Sequence, residues 1–227
     1  MRGRLIVIEG ADGAGKATQT ALLLDHLKTS NMPSASITFP QYKHTFFGKT
    51  IAAILRGEIG KLETLHPYLL SMVYAMDRVE AKEKLYQWLN RGKIVVMDRY
   101  ISSNMAHQAG RLPKKDRPKF VKWLEELEYH VNNLPREDIV FYLYVPYMVS
   151  QNLMQGRKDR QYTKGKVKDI VEEDLNYLKN SEEVYLALAK KFPHWVKITC
   201  VDENGELRSR EEIHGDIKAV LEGKGIL

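Results

Sequence analysis

The sequence contains a single cysteine, Cys200, in 227 residues. One thiol excludes an internal disulfide framework and suits a reducing compartment, so a cytoplasmic location is expected. Cys200 lies in an apolar stretch and reads as a small core residue. Long apolar runs are missing as well. Leu5-Ile6-Val7-Ile8 ends at Glu9-Gly10, which is too short for a signal segment or a membrane span. There is no internal repeat, no low-complexity tract and no Pro- or Gly-rich linker. These absences predict one globular unit over residues 1–227, with no membrane partner. Hydrophobic residues make up 44% of the chain, enough for that unit to bury a sizeable core.

What is present leans basic. The formal net charge is +6, which suits anionic partners. Part of the excess is local. Residues 157–168 hold six basic side chains and one acid, Asp159. That stretch lacks the aromatic interleaving of a nucleic-acid surface, so nucleic acid is not expected as a partner. The simplest alternative for it is a solvated charged loop.

Apolar, β-rich runs occur at 5–8, 94–97, 139–145 and 196–201, with a weaker one at 36–39. Segments with helical spacing lie between them. Continuous apolar strands alternating with helices predict an α/β fold, three-layered, with a central five-stranded parallel sheet flanked by helices. Residues 64–91 read as one long helix, because Leu65, Leu69, Val73, Met76 and Val79 recur at spacings of three and four. Residues 169–192 read as another, opening acidic and closing basic. Asn204-Gly205 predicts a turn between short extended pieces, and the tail 222–227 reads as frayed.

The sharpest motif directly follows the first strand. Gly10-Ala11-Asp12-Gly13-Ala14-Gly15-Lys16 satisfies G-x-x-x-x-G-K in a strand–loop–helix setting. The glycines let backbone N–H groups turn inward on phosphate oxygens, and the helix that begins near Lys16 adds its positive end. This is a P-loop, and it predicts the P-loop NTPase fold with ATP on Gly10 to Thr18. Lys16 reaches the β- and γ-phosphates. Ser or Thr usually follows the lysine as a Mg²⁺ ligand, but here Ala17 does. Thr18 is turned about 100° further round the helix and is no simple substitute. The run 94–97 ends in Asp98, the pattern of a strand whose carboxylate holds Mg²⁺ directly or through water. Asp12, Asp98 and the phosphates alone all remain open as holders of the metal.

The next segment is Asp98-Arg99-Tyr100-Ile101-Ser102-Ser103-Asn104-Met105-Ala106-His107-Gln108. Here the chain resembles the thymidylate kinase family, whose signature is D-R-[YH]-x-x-S-x-x-A-Y-Q, with His107 in place of Tyr. Phe39-Pro40-Gln41-Tyr42 resembles the family's F-P-R-Y, with Gln41 for Arg. Tyr74-Ala75-Met76-Asp77-Arg78 resembles F-A-x-D-R, with Tyr74 for Phe. The resemblance spans nearly the whole chain. It implies transfer of the terminal phosphate of ATP to dTMP, with Mg²⁺, in a homodimer. It places Asp12 at the acceptor's 3′-hydroxyl and Arg99 on the acceptor phosphate. It puts Phe39, Tyr42 and Tyr74 against dTMP, with Tyr74 stacked on the base. Arg78 then approaches O4, and Ser103, Asn104, His107 and Gln108 complete the pocket.

Residue chemistry supports part of this independently. On a helix Tyr74, Asp77 and Arg78 share one face, so an aromatic plate lies beside a guanidinium. The alternatives are a core aromatic at Tyr74 and a surface ion pair from Arg78 to Asp77 or Glu80. Arg99 beside a strand-end carboxylate places a planar donor fork where a phosphate dianion must sit. The basic segment 155–168 reads as a lid, and its Arg157 and Arg160 as catalytic cations, with the choice between them open. The P-loop supplies no arginine, since Ala14 is neutral. His107, smaller than Tyr, keeps dUMP and UMP open as acceptors. Ala17 keeps open a weakly catalytic nucleotide-binding regulator.

Overall fold

The structure is a computed structural model, and it describes residues 2–155 and 175–227. Five parallel strands form the sheet: β1 (Arg4–Gly10), β2 (Ser34–Thr38), β3 (Ile94–Asp98), β4 (Ile139–Tyr144) and β5 (Trp195–Thr199), in the order β2-β3-β1-β4-β5. Each predicted run is a strand, with ends shifted by at most two residues. The apolar runs are continuous because both faces of the sheet are covered.

Alternate residues of each strand feed two cores. Leu5, Val7, Val95, Met97, Val140 and Tyr142 pack on one side against α3 (Pro67–Asn90), α4 (Ile101–Gly110), α5 (Arg117–Glu125) and α7 (Leu175–Lys191). Ile6, Ile8, Val96, Phe141 and Leu143 pack on the other side against α1 (Lys16–Thr29) and α8 (Arg210–Gly223). Helices α2 (Phe46–Leu55) and α6 (Tyr147–Gln155) border the C-terminal edge of the sheet. Cys200 is buried in the second core, as expected. No helix among the described residues is long and apolar enough to cross a membrane.

The register fixes the position of the site. Ile8 of β1 pairs with Asp98 of β3, and Gly10 pairs with Leu143 of β4. β2 and β3 lie on one side of β1 and β4 and β5 on the other, and a crevice opens at the carboxyl ends of the strands where the order switches in this way.

Three expectations need correction. The long helix starts at Pro67, not at 64, because Leu62–Thr64 forms a separate 3-10 turn and Pro suits the first helical position. Its assumed apolar face is partly reversed: Leu69 and Met76 are exposed, while Ser71, Asp77 and Arg78 are buried beside Leu70, Ala75, Ala81 and Leu85. The polar members turn inward because each carboxylate and guanidinium there has a partner, given below. The tail is not frayed. Ile226 N–H donates to Leu221 O at 2.9 Å, and Ile226 and Leu227 pack on the second core. The Asn204-Gly205 turn is present, joined by an antiparallel bridge between Val201 and Leu207. The acidic opening of the helix predicted over 169–192 lies outside the described residues.

Candidate active site

The P-loop wraps the end of β1. A Cβ on Gly10 would stand 2.7 Å from Leu143 O, so only glycine lets β1 and β4 close there. Gly15 precedes α1 with φ 88°, a left-handed conformation that costs glycine little, and offers no side-chain cap. The first-turn N–H groups are thereby left for an anion. Lys16 Nζ donates to Ala11 O at 2.8 Å and lies 3.5 Å from Asp12 Oδ1. Burial, and then the Arg99 charge, lower its pKa to about 8 against the opposing pull of Asp12, Asp98 and Glu9. Ala17 and Thr18 are exposed on the first turn.

Arg99 joins β3 to α4 with φ 68°, a strained value for a residue with a Cβ. Its N–H is held by Ile8 O at 3.1 Å. Its guanidinium pairs with the Asp12 carboxylate and donates to Ser103 Oγ at 3.1 Å. It also reaches His107 Nε2 at 3.2 Å. Arginine only donates, so that nitrogen is the acceptor. The His107 proton then sits on Nδ1, 2.9 Å from Tyr177 Oη. Burial, and then the Arg99 charge, lower the His107 pKa to about 3, so the ring is neutral.

Beneath Arg99 lies Glu9, a fully buried carboxylate. Oε1 accepts from Tyr100 N–H at 2.9 Å, Ser102 Oγ at 2.8 Å and Ser103 N–H at 3.0 Å. Oε2 accepts from Ser103 Oγ at 2.6 Å and Tyr185 Oη at 2.8 Å. These bonds hold the first turn of α4, and so the base of Arg99. Sequence reasoning missed Glu9, although an acid ending a buried strand was the very signal used for Asp98. The Asp98 carboxylate has no hydrogen-bond donor among the described residues, and burial raises its pKa against the pull of Lys16 and Arg99.

Tyr74, Arg78, Asn104, Gln108, Phe39 and Tyr42 all border one cavity of about 960 Å³ that also contains the P-loop residues Ala11 to Thr18, apart from the buried Ala14. Gly10 and Ala14 form the loop's buried side. Several predicted pocket side chains are already engaged. Ser103 is held by Glu9 and Arg99. Gln108 Oε1 accepts from Arg111 Nη1 at 2.9 Å, and Arg111 also ties down Leu62 O and Leu65 O.

Arg78 pairs with neither Asp77 nor Glu80. Its partner is Glu128, itself fully buried. Asp77 instead accepts from Gln41 N–H at 3.0 Å and from Thr45 Oγ1, and burial raises its pKa. Glu80 caps α2 by accepting from Phe46 N–H at 2.9 Å and Phe47 N–H at 2.8 Å. Glu128, Tyr177 and Tyr185 were not predicted, because each meets the site residues from a distant part of the chain, and Arg111 was missed although it lies only three residues beyond Gln108. Arg157 and Arg160 lie outside the described residues.

A phosphate-binding loop at one end of a cavity, and a second guanidinium site facing it, define a nucleotide phosphotransferase on a P-loop fold. A sequence model of the thymidylate kinase family matches residues 8–213, and the chain belongs to that family. The family's reaction is ATP-dependent phosphorylation of dTMP to dTDP, which makes the chain a kinase. It is 32% identical to the thymidylate kinase of Mycobacterium tuberculosis over 186 residues, 82% of this chain and 85% of that one. With the probable thymidylate kinase of Thermococcus onnurineus it shares 32% over 223 residues, 96% of each chain. The solved thymidylate kinase of Candida albicans superposes with a TM-score of 0.75 at 21% identity, over 99% of this chain and 93% of that one, which supports the fold.

Proposed function

We propose that the two ends of this cavity divide the reaction, with ATP on the P-loop and dTMP beyond Arg99. The observation that carries this reading is one continuous cavity bordered by Lys16, Arg99, Tyr74 and Asn104. A phosphate oxygen of dTMP attacks the γ-phosphorus, the bond to the β,γ-bridging oxygen breaks, and ADP leaves. Little covalent help is needed, so the work is positioning and neutralising charge. Lys16 lies against the β- and γ-phosphates. Arg99 leaves Asp12 for the acceptor phosphate, and Asp12 turns to the 3′-hydroxyl. Tyr74 stacks on the base, with Arg78, Asn104 and Gln108 along its edge. Arg157 and Arg160 are the candidate further cations.

Mg²⁺ fits this donor set. No group of three or more His, Cys, Asp or Glu among the described residues would hold a metal alone. Mg²⁺ is usually carried by substrate phosphates with one or two carboxylates, and Asp98 has a carboxylate that no described donor engages. Bound there with water, the ion would neutralise charge on the phosphates. Ala17 then removes one ligand without removing the site. The enzyme acts in the cytoplasm as a homodimer. The exposed Leu69, Met72 and Met76, spaced along one face of α3, support helix packing between copies.

The test is an ADP-release assay with ATP and Mg²⁺ against dTMP, dUMP, UMP, dCMP and AMP in parallel. A fast rate with dTMP and slow rates with dCMP and AMP are expected. No turnover of any acceptor by protein that binds ATP would refute the reading.

A further inference from the structure

We infer that Glu128, which does not itself border the cavity, sets the hydrogen-bond polarity of the base pocket so that it accepts a 4-oxo pyrimidine and rejects a 4-amino one. The inference rests on the placement of the base proposed above.

Glu128 follows α5 in a π-helical turn, Glu126–Val131, where Asn132 N–H bonds back to Leu127 O at 2.9 Å. The side chain is fully buried and touches two cavity residues. It takes Nε and Nη2 of Arg78, the former at 3.1 Å. It also accepts from Asn104 Nδ2 at 3.2 Å, and the same Nδ2 donates to Ser71 O at 3.1 Å. An ionised carboxylate and a carbonyl oxygen only accept. Rotating the Asn104 amide by half a turn would set Oδ1 against both of them. Glu128, together with Ser71 O, therefore fixes which end of the amide is available.

The available end is Oδ1, which is buried and has no partner among the described residues. A buried acceptor of that kind calls for an N–H donor from the ligand. Arg78, which borders the same cavity, keeps Nη1 as a donor outside its pair with Glu128. An acceptor next to a donor matches the N3–H and C4=O of thymine or uracil. Cytosine presents the reverse, an unprotonated N3 and a 4-amino group. In this arrangement Glu128 is a positioning residue for both Asn104 and Arg78.

The experiment begins with the unmodified enzyme and needs no variant. Binding of N3-methyl-dTMP, whose methyl group replaces the N3 proton, is compared with binding of dTMP by calorimetry. A loss of about tenfold or more is expected, since a site built to hydrogen-bond a group rejects the analogue lacking it. Glu128→Gln and Glu128→Asp are then compared for kcat and KM with dTMP, dCMP and ATP, alongside thermal unfolding. Gln can present an amide N–H where the carboxylate only accepts, which removes its share of the hold on the Asn104 amide and weakens the pair with Arg78. We expect Glu128→Gln to reduce the dTMP-over-dCMP preference in kcat/KM by about tenfold or more, chiefly through KM for dTMP, with KM for ATP unchanged. Glu128→Asp keeps the acceptor and should retain part of the preference, and it carries the test if the Gln variant does not fold.

Equal binding of N3-methyl-dTMP and dTMP overturns the inference. So does a folded Glu128→Gln whose preference stays within about twofold of the unmodified enzyme, or, where that variant does not fold, a Glu128→Asp with no loss of preference. An unmodified enzyme that phosphorylates dTMP yet gives either result loses only this inference, whereas one that ignores dTMP loses the pocket reading beneath it.

Discussion

Arg99 and His107 are joined by a 3.2 Å hydrogen bond in which the imidazole accepts through Nε2. An arginine cannot give up its role as donor, so it forces the histidine to stay neutral with its proton on Nδ1. The His107 pKa of about 3 lies below the ordinary 6.5 because of burial first and the Arg99 charge second. The sign of the linkage follows. The fold disfavours the protonated ring, so this contribution to stability is complete above about pH 6.5 and is lost as pH falls toward 3. Unfolding measured from pH 7 to pH 4 should therefore be less pH-dependent in His107→Asn than in the unmodified enzyme. Nitrogen NMR should show an Nδ1-protonated ring at pH 6. A charged imidazolium at that pH would sink the assignment.

The same ring bears on sugar selection. His107 stacks on Tyr177 at 5.9 Å and 17°, so it is held in place rather than free to swing toward a ribose. The related family signature has Tyr at this position. A shorter, fixed side chain leaves more room near a 2′-hydroxyl. UMP turnover by the unmodified enzyme is expected to be slow but measurable. His107→Tyr should lower UMP turnover relative to dUMP by about tenfold, the scale of a lost or gained steric fit. A parallel assay of UMP and dUMP settles it, and an absence of UMP turnover before any substitution would end the idea.

Much of this could be read from the residues, and the exceptions share one cause. The strands and the P-loop were legible because they are local: a continuous apolar run, a glycine spacing, a lysine. Asp98 and Arg99 were legible for the same reason. The buried face of α3 was misjudged because hydropathy periodicity assumes that apolar residues face the core. Here Asp77 and Arg78 are buried because Thr45 and Glu128 meet them from 32 and 50 residues away. Glu9 and Tyr185, 176 residues apart, present the same difficulty. A polar group goes inside only with a partner, and sequence shows the group without the partner.

Lys16 couples binding to pH. In the free enzyme its pKa is lowered from 10.5 to about 8, mostly by burial. The sign here also favours the neutral form in the fold. At pH 7 the fold carries a charged lysine at a cost, which fades as pH rises from about 8 to 10.5. Lys16→Met should therefore raise the stability of the nucleotide-free protein at pH 7, by up to about 3 kcal/mol, while ATP binding is lost. The gain should shrink as pH rises from about 8 and vanish above pH 10.5, where the lysine loses its proton in both states. Phosphates raise the lysine pKa, so ATP binding at pH 8.5 should take up protons. Calorimetry in two buffers of different ionisation enthalpy measures this directly, and binding with no proton uptake would contradict the buried, partly neutral lysine.

Glu9 offers the last test, because its two oxygens face different kinds of donor. Oε1 meets the N–H groups of Tyr100 and Ser103, which cannot reverse, together with the Ser102 hydroxyl. Oε2 meets only hydroxyls, from Ser103 and Tyr185. In Glu9→Gln the new amide nitrogen must therefore take the Oε2 side, where both hydroxyls can rotate to accept. That limits the loss of stability to about 1–3 kcal/mol, the range for a weakened buried hydrogen-bond set. Glu9→Ala has no such remedy: five donor groups lose their acceptor beside a cavity, and the loss should exceed that of Gln by about 2 kcal/mol or more. Ser103 Oγ also supports Arg99, so Glu9→Gln should raise KM for dTMP more than KM for ATP. Denaturant unfolding of the two variants, with steady-state kinetics of the Gln form, checks both halves. Equal stability of Gln and Ala would show that the asymmetry of the two oxygens has no consequence.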